Sequence, residues 1–164
     1  MSNGILVINA GSSSIKFSLF SVEPAAGFTL RLKGQVEGIG TRPHFIAHAA
    51  GQVLAEQHWS AEAMDREALL EYLLNWIRSS LGESPLRAVG HRVVFGGEHY
   101  RAPVRVNADV MTRLTDLIPL MPLHLPANLA PIEAIDRINP DLPQVACFDT
   151  AFNTDFHEID NRQN

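Results

Sequence analysis

Two apolar runs, Ile5-Leu6-Val7-Ile8 and the alternating Ile15, Phe17 and Leu19, are separated by one polar turn, Gly11-Ser12-Ser13-Ser14, and this arrangement limits the fold more than any other feature. The first run is continuous and aliphatic, the pattern of a strand buried on both faces. In the second, Lys16 and Ser18 fall between the apolar positions, so a strand there presents both polar residues on one face. So short a connection makes the pair a hairpin. The turn carries an amide at Asn9, hydroxyls at Ser12 and Ser14 and an ammonium at Lys16, with Gly11 allowing close backbone approach. Such a set suits phosphate and Mg²⁺, because Mg²⁺ takes oxygen ligands and Lys is a compact positive charge. Composition alone does not separate this reading from a solvated Ser-rich turn. The GxxxxGK[ST] pattern is absent and a strand follows, so the turn is not a Walker loop.

Further along, a third strand is expected over Phe28 to Val36, after the Pro24-Ala25-Ala26-Gly27 break, and a peripheral hairpin at Phe45 to Ala49 and Gln52 to Glu56. Leu70, Leu73, Ile77 and Leu81 recur at helical spacing, which predicts a helix from a Ser60 cap to Gly82. Leu86 to Val89 and Arg92 to Phe95 read as strand up to Gly96-Gly97. Asn107 caps a predicted helix through Leu117, and a further helix is expected over Ala127 to Ile138, closed by Asn139-Pro140. Gln144 to Phe148 reads as a last buried strand that delivers Asp149 at its C-terminal end. Met111 and Met121 read as core. The order predicts an α/β fold whose mixed sheet joins an antiparallel three-strand meander to parallel strands, flanked by helices.

The chain of 164 residues is long enough for a packed core, and 46% apolar with 19% charged residues is globular composition. A net charge of -5 without a Lys/Arg cluster argues against a nucleic-acid partner. No apolar run is long enough to span a membrane and no secretory leader is legible, so a cytoplasmic location is expected. Cys147 is the single cysteine, which rules out an intrachain disulfide and a multi-Cys zinc site. His91, His99 and His124 show no i, i+4 pairing of the HExxH kind. Arg92 lies within an apolar strand and needs a partner, either a ligand carboxylate or phosphate or a structural acid. Asp149 stands at a strand's carboxyl end, where ligands of open α/β sheets gather.

Taken together, "LVINAGSSSIKFSLF", "GHRVVFGGE", "PLHLPANLAPIEAI" and "VACFDTAF" resemble the acetate kinase family in order and approximate spacing. The resemblance runs from Gly4 to about Phe152. It implies the actin-like ATPase fold, with a ribonuclease H-like domain at residues 1–152 and a polar tail at 153–164, where Phe156 and Ile159 are the only core-type residues. It also implies a reaction, ATP and acetate giving acetyl phosphate and ADP by in-line transfer, with Mg²⁺ or Mn²⁺ as cofactor. By resemblance Asn9 belongs to the metal site, Lys16 contacts nucleotide phosphates, and Ser12 and Ser14 line the same loop. Arg92 matches the substrate arginine, Val93 and Leu123 the apolar pocket for the acetate methyl, and Asp149 the catalytic aspartate. His91 and His124 fall on histidines near the active site. Acetate is already ionised at neutral pH, so Asp149 is expected to coordinate magnesium or position groups rather than remove a proton.

Three positions depart from the family pattern. Phe95 stands where HRVVHGG has histidine, Leu125 where PLHNPANL has asparagine, and Asn153 where histidine commonly follows FDTAF. Members of the family are homodimers with a second, nucleotide-binding domain. The sequence therefore reads as an N-terminal portion whose turnover depends on that domain, with most of the dimer interface outside it. A second reading is a non-catalytic remnant that binds phosphate or a partner protein. A propionate or butyrate kinase is a third, which the Gly90 to Gly97 and FDTAF blocks fit less closely.

Overall fold

The computed structural model describes residues 2–149. Asn153, the polar tail at 153–164 and the domain boundary at 152 lie outside the described residues. Eight strands form one sheet in the order β5-β4-β3-β2-β1-β6-β8-β7. They are β1 (Asn3–Ala10), β2 (Ile15–Glu23), β3 (Gly27–Glu37), β4 (His44–Ala49), β5 (Gln52–His58), β6 (Leu86–Val93), β7 (Val104–Arg105) and β8 (Gln144–Phe148). The helices are α1 (Arg66–Leu81), α2 (Ala108–Asp116) and α3 (Leu125–Ile138), with a short 3-10 turn at Ile118–Leu120. Strands β1, β6 and β8 run parallel and the remaining pairs are antiparallel. The expected mixed sheet with a meander is therefore present.

Alternation along the strands decides which side the helices cover. Leu6, Ile8 and Ala10 of β1 and Ile15, Phe17 and Leu19 of β2 are buried, and they pack with Leu69, Leu70, Leu73, Leu74 and Ile77 of α1 and with Ile135 of α3. A second cluster joins Val93, Ala146 and Phe148 to Val110 and Leu114 of α2 and to Leu125, Leu129 and Ile132 of α3. All three helices thus lie on one face of the sheet. The other face carries Val7, Asn9, Lys16, Ser18 and Arg92, as the polar half of the β2 alternation requires.

Four expectations need correction. The helix expected from Ser60 begins at Arg66, because the Asp65 side chain accepts from Ala68 N at 2.8 Å and caps it. The hairpin at 44–58 lies at the edge of the sheet, as expected, yet it feeds the core: β4 pairs with β3, and fully buried Phe45 stacks on Phe17 at 5.8 Å and meets Tyr72 and Trp76 edge-on. The two runs around Gly90-His91 are one strand ending at Val93. It continues through them because Gly90 and His91 pair on both sides, with Val7 and Ile8 of β1 and with Val145 and Ala146 of β8. Of the two methionines expected in the core, Met111 and Met121 are only partly buried against the second cluster. Asn107 caps α2 as expected, through Val110 N at 2.8 Å, whereas α3 starts two residues earlier than its apolar pattern suggests, with Pro126 in its first turn.

Candidate active site

The carboxyl ends of the parallel strands meet the N-terminus of α3, and a cleft of about 400 Å³ opens between them. Asn9, Ala10, Gly11, Ser14, Lys16, Arg92, Val94, Met121, His124, Ala127 and Asn128 line it. Asn9 and Lys16 are directly opposed across β1 and β2, so the ammonium and the amide share one position of the sheet. Lys16 is exposed and forms no salt bridge among the described residues. A second concavity on the open face shares Asn9 and Lys16 and extends over Ser18, Lys33, Gln35 and His48.

Arg92 binds Asp149 through Nε at 2.9 and 3.1 Å and through Nη2 at 2.7 Å. Both side chains are partly exposed, at 53% and 32%, so the pair contributes about 0.2–1 kcal/mol to stability at most. What it fixes is direction. Hydrogen bonding to Asp149 holds the guanidinium pKa above its ordinary value, and the side-on grip orients the planar group at the mouth of the cleft. Asp149 reaches Arg92 because β6 and β8 pair in register, Arg92 beside Cys147 and Val93 beside Phe148.

Two residues that the sequence reading passed over hold this site together. Asn128 is buried; its amide nitrogen donates to Ala10 O at 2.9 Å and its amide oxygen accepts from Val94 N at 3.0 Å, tying the end of β1 to the chain just past β6. Arg66, the first residue of α1, donates to Ser12 O at 2.8 Å, while Gly11 N donates to Ser14 O at 2.8 Å and Ile39 N to Ser13 O at 3.0 Å. The Gly11 to Ser14 turn is therefore closed by its own hydrogen bond and pinned from outside by Arg66 and Ile39. The only local signal for either residue was Asn128 as a polar interruption in the apolar first half of α3, since its partners lie 34 and 118 residues away.

Of the ten residues singled out, Asn9, Ser14, Lys16, Arg92 and His124 line the cleft, with Asp149 attached through Arg92. Ser12 sits in the pinned turn and is exposed. Leu123 is 79% exposed and does not line the cleft. Val93 and His91 are not brought to it either: period-two alternation around outward Arg92 turns both toward the helices, where Val93 is fully buried and His91 nearly so. His91 Nε2 is 2.7 Å from Gln144 Oε1, and Gln144 Nε2 donates to Ile132 O at 3.0 Å, so the imidazole donates from Nε2 and leaves a lone pair on Nδ1. That buried Nδ1 has no hydrogen-bond partner among the described residues, and burial pushes the His91 pKa down to about 4. Leu125 is fully buried in the second cluster, a core role for one of the departing positions.

Chemically the cleft offers cations and a helix N-terminus for anions, and hard oxygen donors, at Asn9, Ser14 and neighbouring Asp149, of the kind Mg²⁺ takes. A sequence model described as the Acetokinase family matches residues 4–160. The acetate kinase of Rhizobium meliloti is 47% identical over 152 residues, covering 92% of this chain and 38% of that protein. Among solved structures, a propionate kinase from Francisella tularensis has a TM-score of 0.76 at 35% identity, covering 92% of this chain and 38% of that one. Porphyromonas gingivalis acetate kinase has a TM-score of 0.77 at 32% identity, with the same coverage. The chain spans about 38% of the length of such curated relatives.

Proposed function

Since the chain belongs to the acetokinase family and has its actin-like ATPase fold, we propose that its cleft is the acid- and metal-binding part of a phosphotransferase site that makes acetyl phosphate from ATP and acetate. The observation that carries this reading is the convergence of Lys16, Arg92 and the α3 N-terminus on one cleft with Asn9 and Ser14. Transfer of a phosphoryl group needs alignment and charge neutralisation more than covalent help from the protein. Arg92, held side-on by Asp149, orients a short carboxylate, and Lys16 neutralises phosphate oxygens. Asn9, Ser14 and Asp149 would hold Mg²⁺, which would supply positive charge against the transferred group. Asp149 has no proton to remove from an ionised acid, so its role is to hold the metal and position Arg92.

Packing makes no demand for glycine at Gly11. A Cβ there would make only ordinary contact with Ser14 Oγ at 3.5 Å, so the fold does not demand glycine at this position. Gly96 is the contrast: a Cβ would meet Phe148 at 2.7 Å and Tyr100 O at 2.9 Å, so packing demands it. Turnover requires the additional length that the relatives have.

The test is a chimera in which these residues replace the matching 152-residue segment of the Rhizobium meliloti enzyme. Acetohydroxamate trapped from ATP-Mg and acetate should appear, and should fall at least 100-fold with Lys16→Ala or Arg92→Ala. A folded chimera that makes none, or variants as active as their parent, would contradict the proposal.

A further inference from the structure

The edge hairpin carries a cluster of side chains that the phosphotransfer reading does not use. In the β4–β5 register His44 is opposite His58 and Ile46 is opposite Glu56, so period-two alternation puts His44, Glu56 and His58 on one face. Phe45, one residue along, points the other way into the core. The two imidazoles stack with centroids 4.2 Å apart and planes 11° from parallel. Both Nε2 atoms approach the same oxygen, Glu56 Oε1, at 2.7 Å from His44 and 3.3 Å from His58. The three ligand-type atoms lie within 4.8 Å of one another. Ligand atoms about 2.0–2.2 Å from a tetrahedral ion sit roughly 3.3–3.6 Å apart, so small side-chain rotations bring this set around one ion.

We propose that His44, Glu56 and His58 form a surface site for a divalent transition-metal ion of the zinc class, separate from the phosphotransfer cleft. Two imidazoles and a carboxylate are the donor set of open zinc sites with water in the remaining position, and imidazole favours zinc, nickel or copper over magnesium. The ion bridges two strands. β5 is the edge of the sheet and six of its seven residues are exposed, so a bound ion clips an otherwise lightly held strand to β4.

The experiment is a calorimetric titration of the purified 164-residue chain with Zn²⁺ alone, paired with amide hydrogen exchange. One equivalent should bind with a dissociation constant of micromolar or below, unaffected by millimolar Mg²⁺, and exchange across β5 should slow at least several-fold. His58→Ala and Glu56→Gln, at exposed positions whose loss leaves the core intact, should each weaken binding at least tenfold and abolish the slowing. Absence of one-equivalent binding would overturn the proposal. So would binding of undiminished strength in both variants, which would place the ion on other histidines.

Discussion

At the scale of single residues, the deciding fact is which way a side chain faces. Arg92 points to the open face, so its neighbours His91 and Val93 must point to the helices, and the family resemblance that named all three could not separate them. His91 is the residue with the clearest solution signature. Its folded pKa of about 4 lies below the ordinary 6.5, so above pH 6.5 it is neutral in both states and adds no pH dependence. As pH falls below 6.5 the unfolded chain takes up a proton that the folded chain refuses, and stability drops by about 1.4 kcal/mol per pH unit until the folded pKa is reached. Urea unfolding should therefore show the wild-type chain losing about 1.5 kcal/mol more than His91→Gln between pH 6.5 and pH 5. Equal losses would mean that His91 is protonated in the fold. Asn128 and Arg66 mark the limit of legibility here: each acts on backbone groups distant in sequence, and no local pattern announces that.

Elements were legible where periodicity was local. The β1–β2 hairpin, the apolar stripe of α1, the Asn107 cap and β8 follow directly from residue spacing. The start of α1 did not, because Ser60 and Asp65 are both good caps and tertiary contacts choose between them. Trp59 N donates to Pro43 O at 3.0 Å and its ring meets Tyr72 at 4.9 Å, holding the segment before Asp65 against β4 and α1 as an irregular turn. Asp65→Ala should lower stability by about 1 kcal/mol, while Ser60→Ala should leave it within about 0.5 kcal/mol. Denaturant midpoints showing the reverse order would return the cap to Ser60. The place of β4 and β5 in the main sheet was hidden for a different reason: it depends on β3–β4 pairing and on Phe45 reaching Phe17, contacts between segments rather than within one.

For the whole molecule, the three parallel strands bring Asn9, Arg92 and Asp149 together at their carboxyl ends, and α3 closes that end with its N-terminus. The residues were visible beforehand as polar interruptions at strand ends. Their chemistry as a set was not, because composition left a solvated serine turn open, and the assignment came from the resemblance of four separated blocks. No described helix is long and apolar enough to cross a membrane. The central claim is that this cleft binds an acyl phosphate, and the most direct measurement is an NMR titration of the 164-residue chain with acetyl phosphate and Mg²⁺. The account predicts saturable shifts confined to the Asn9 to Lys16 turn, Arg92 and the start of α3, with affinity reduced at least tenfold in Lys16→Ala and in Arg92→Ala. A folded chain that shows no saturable shifts, or variants that bind as the wild type does, would contradict it.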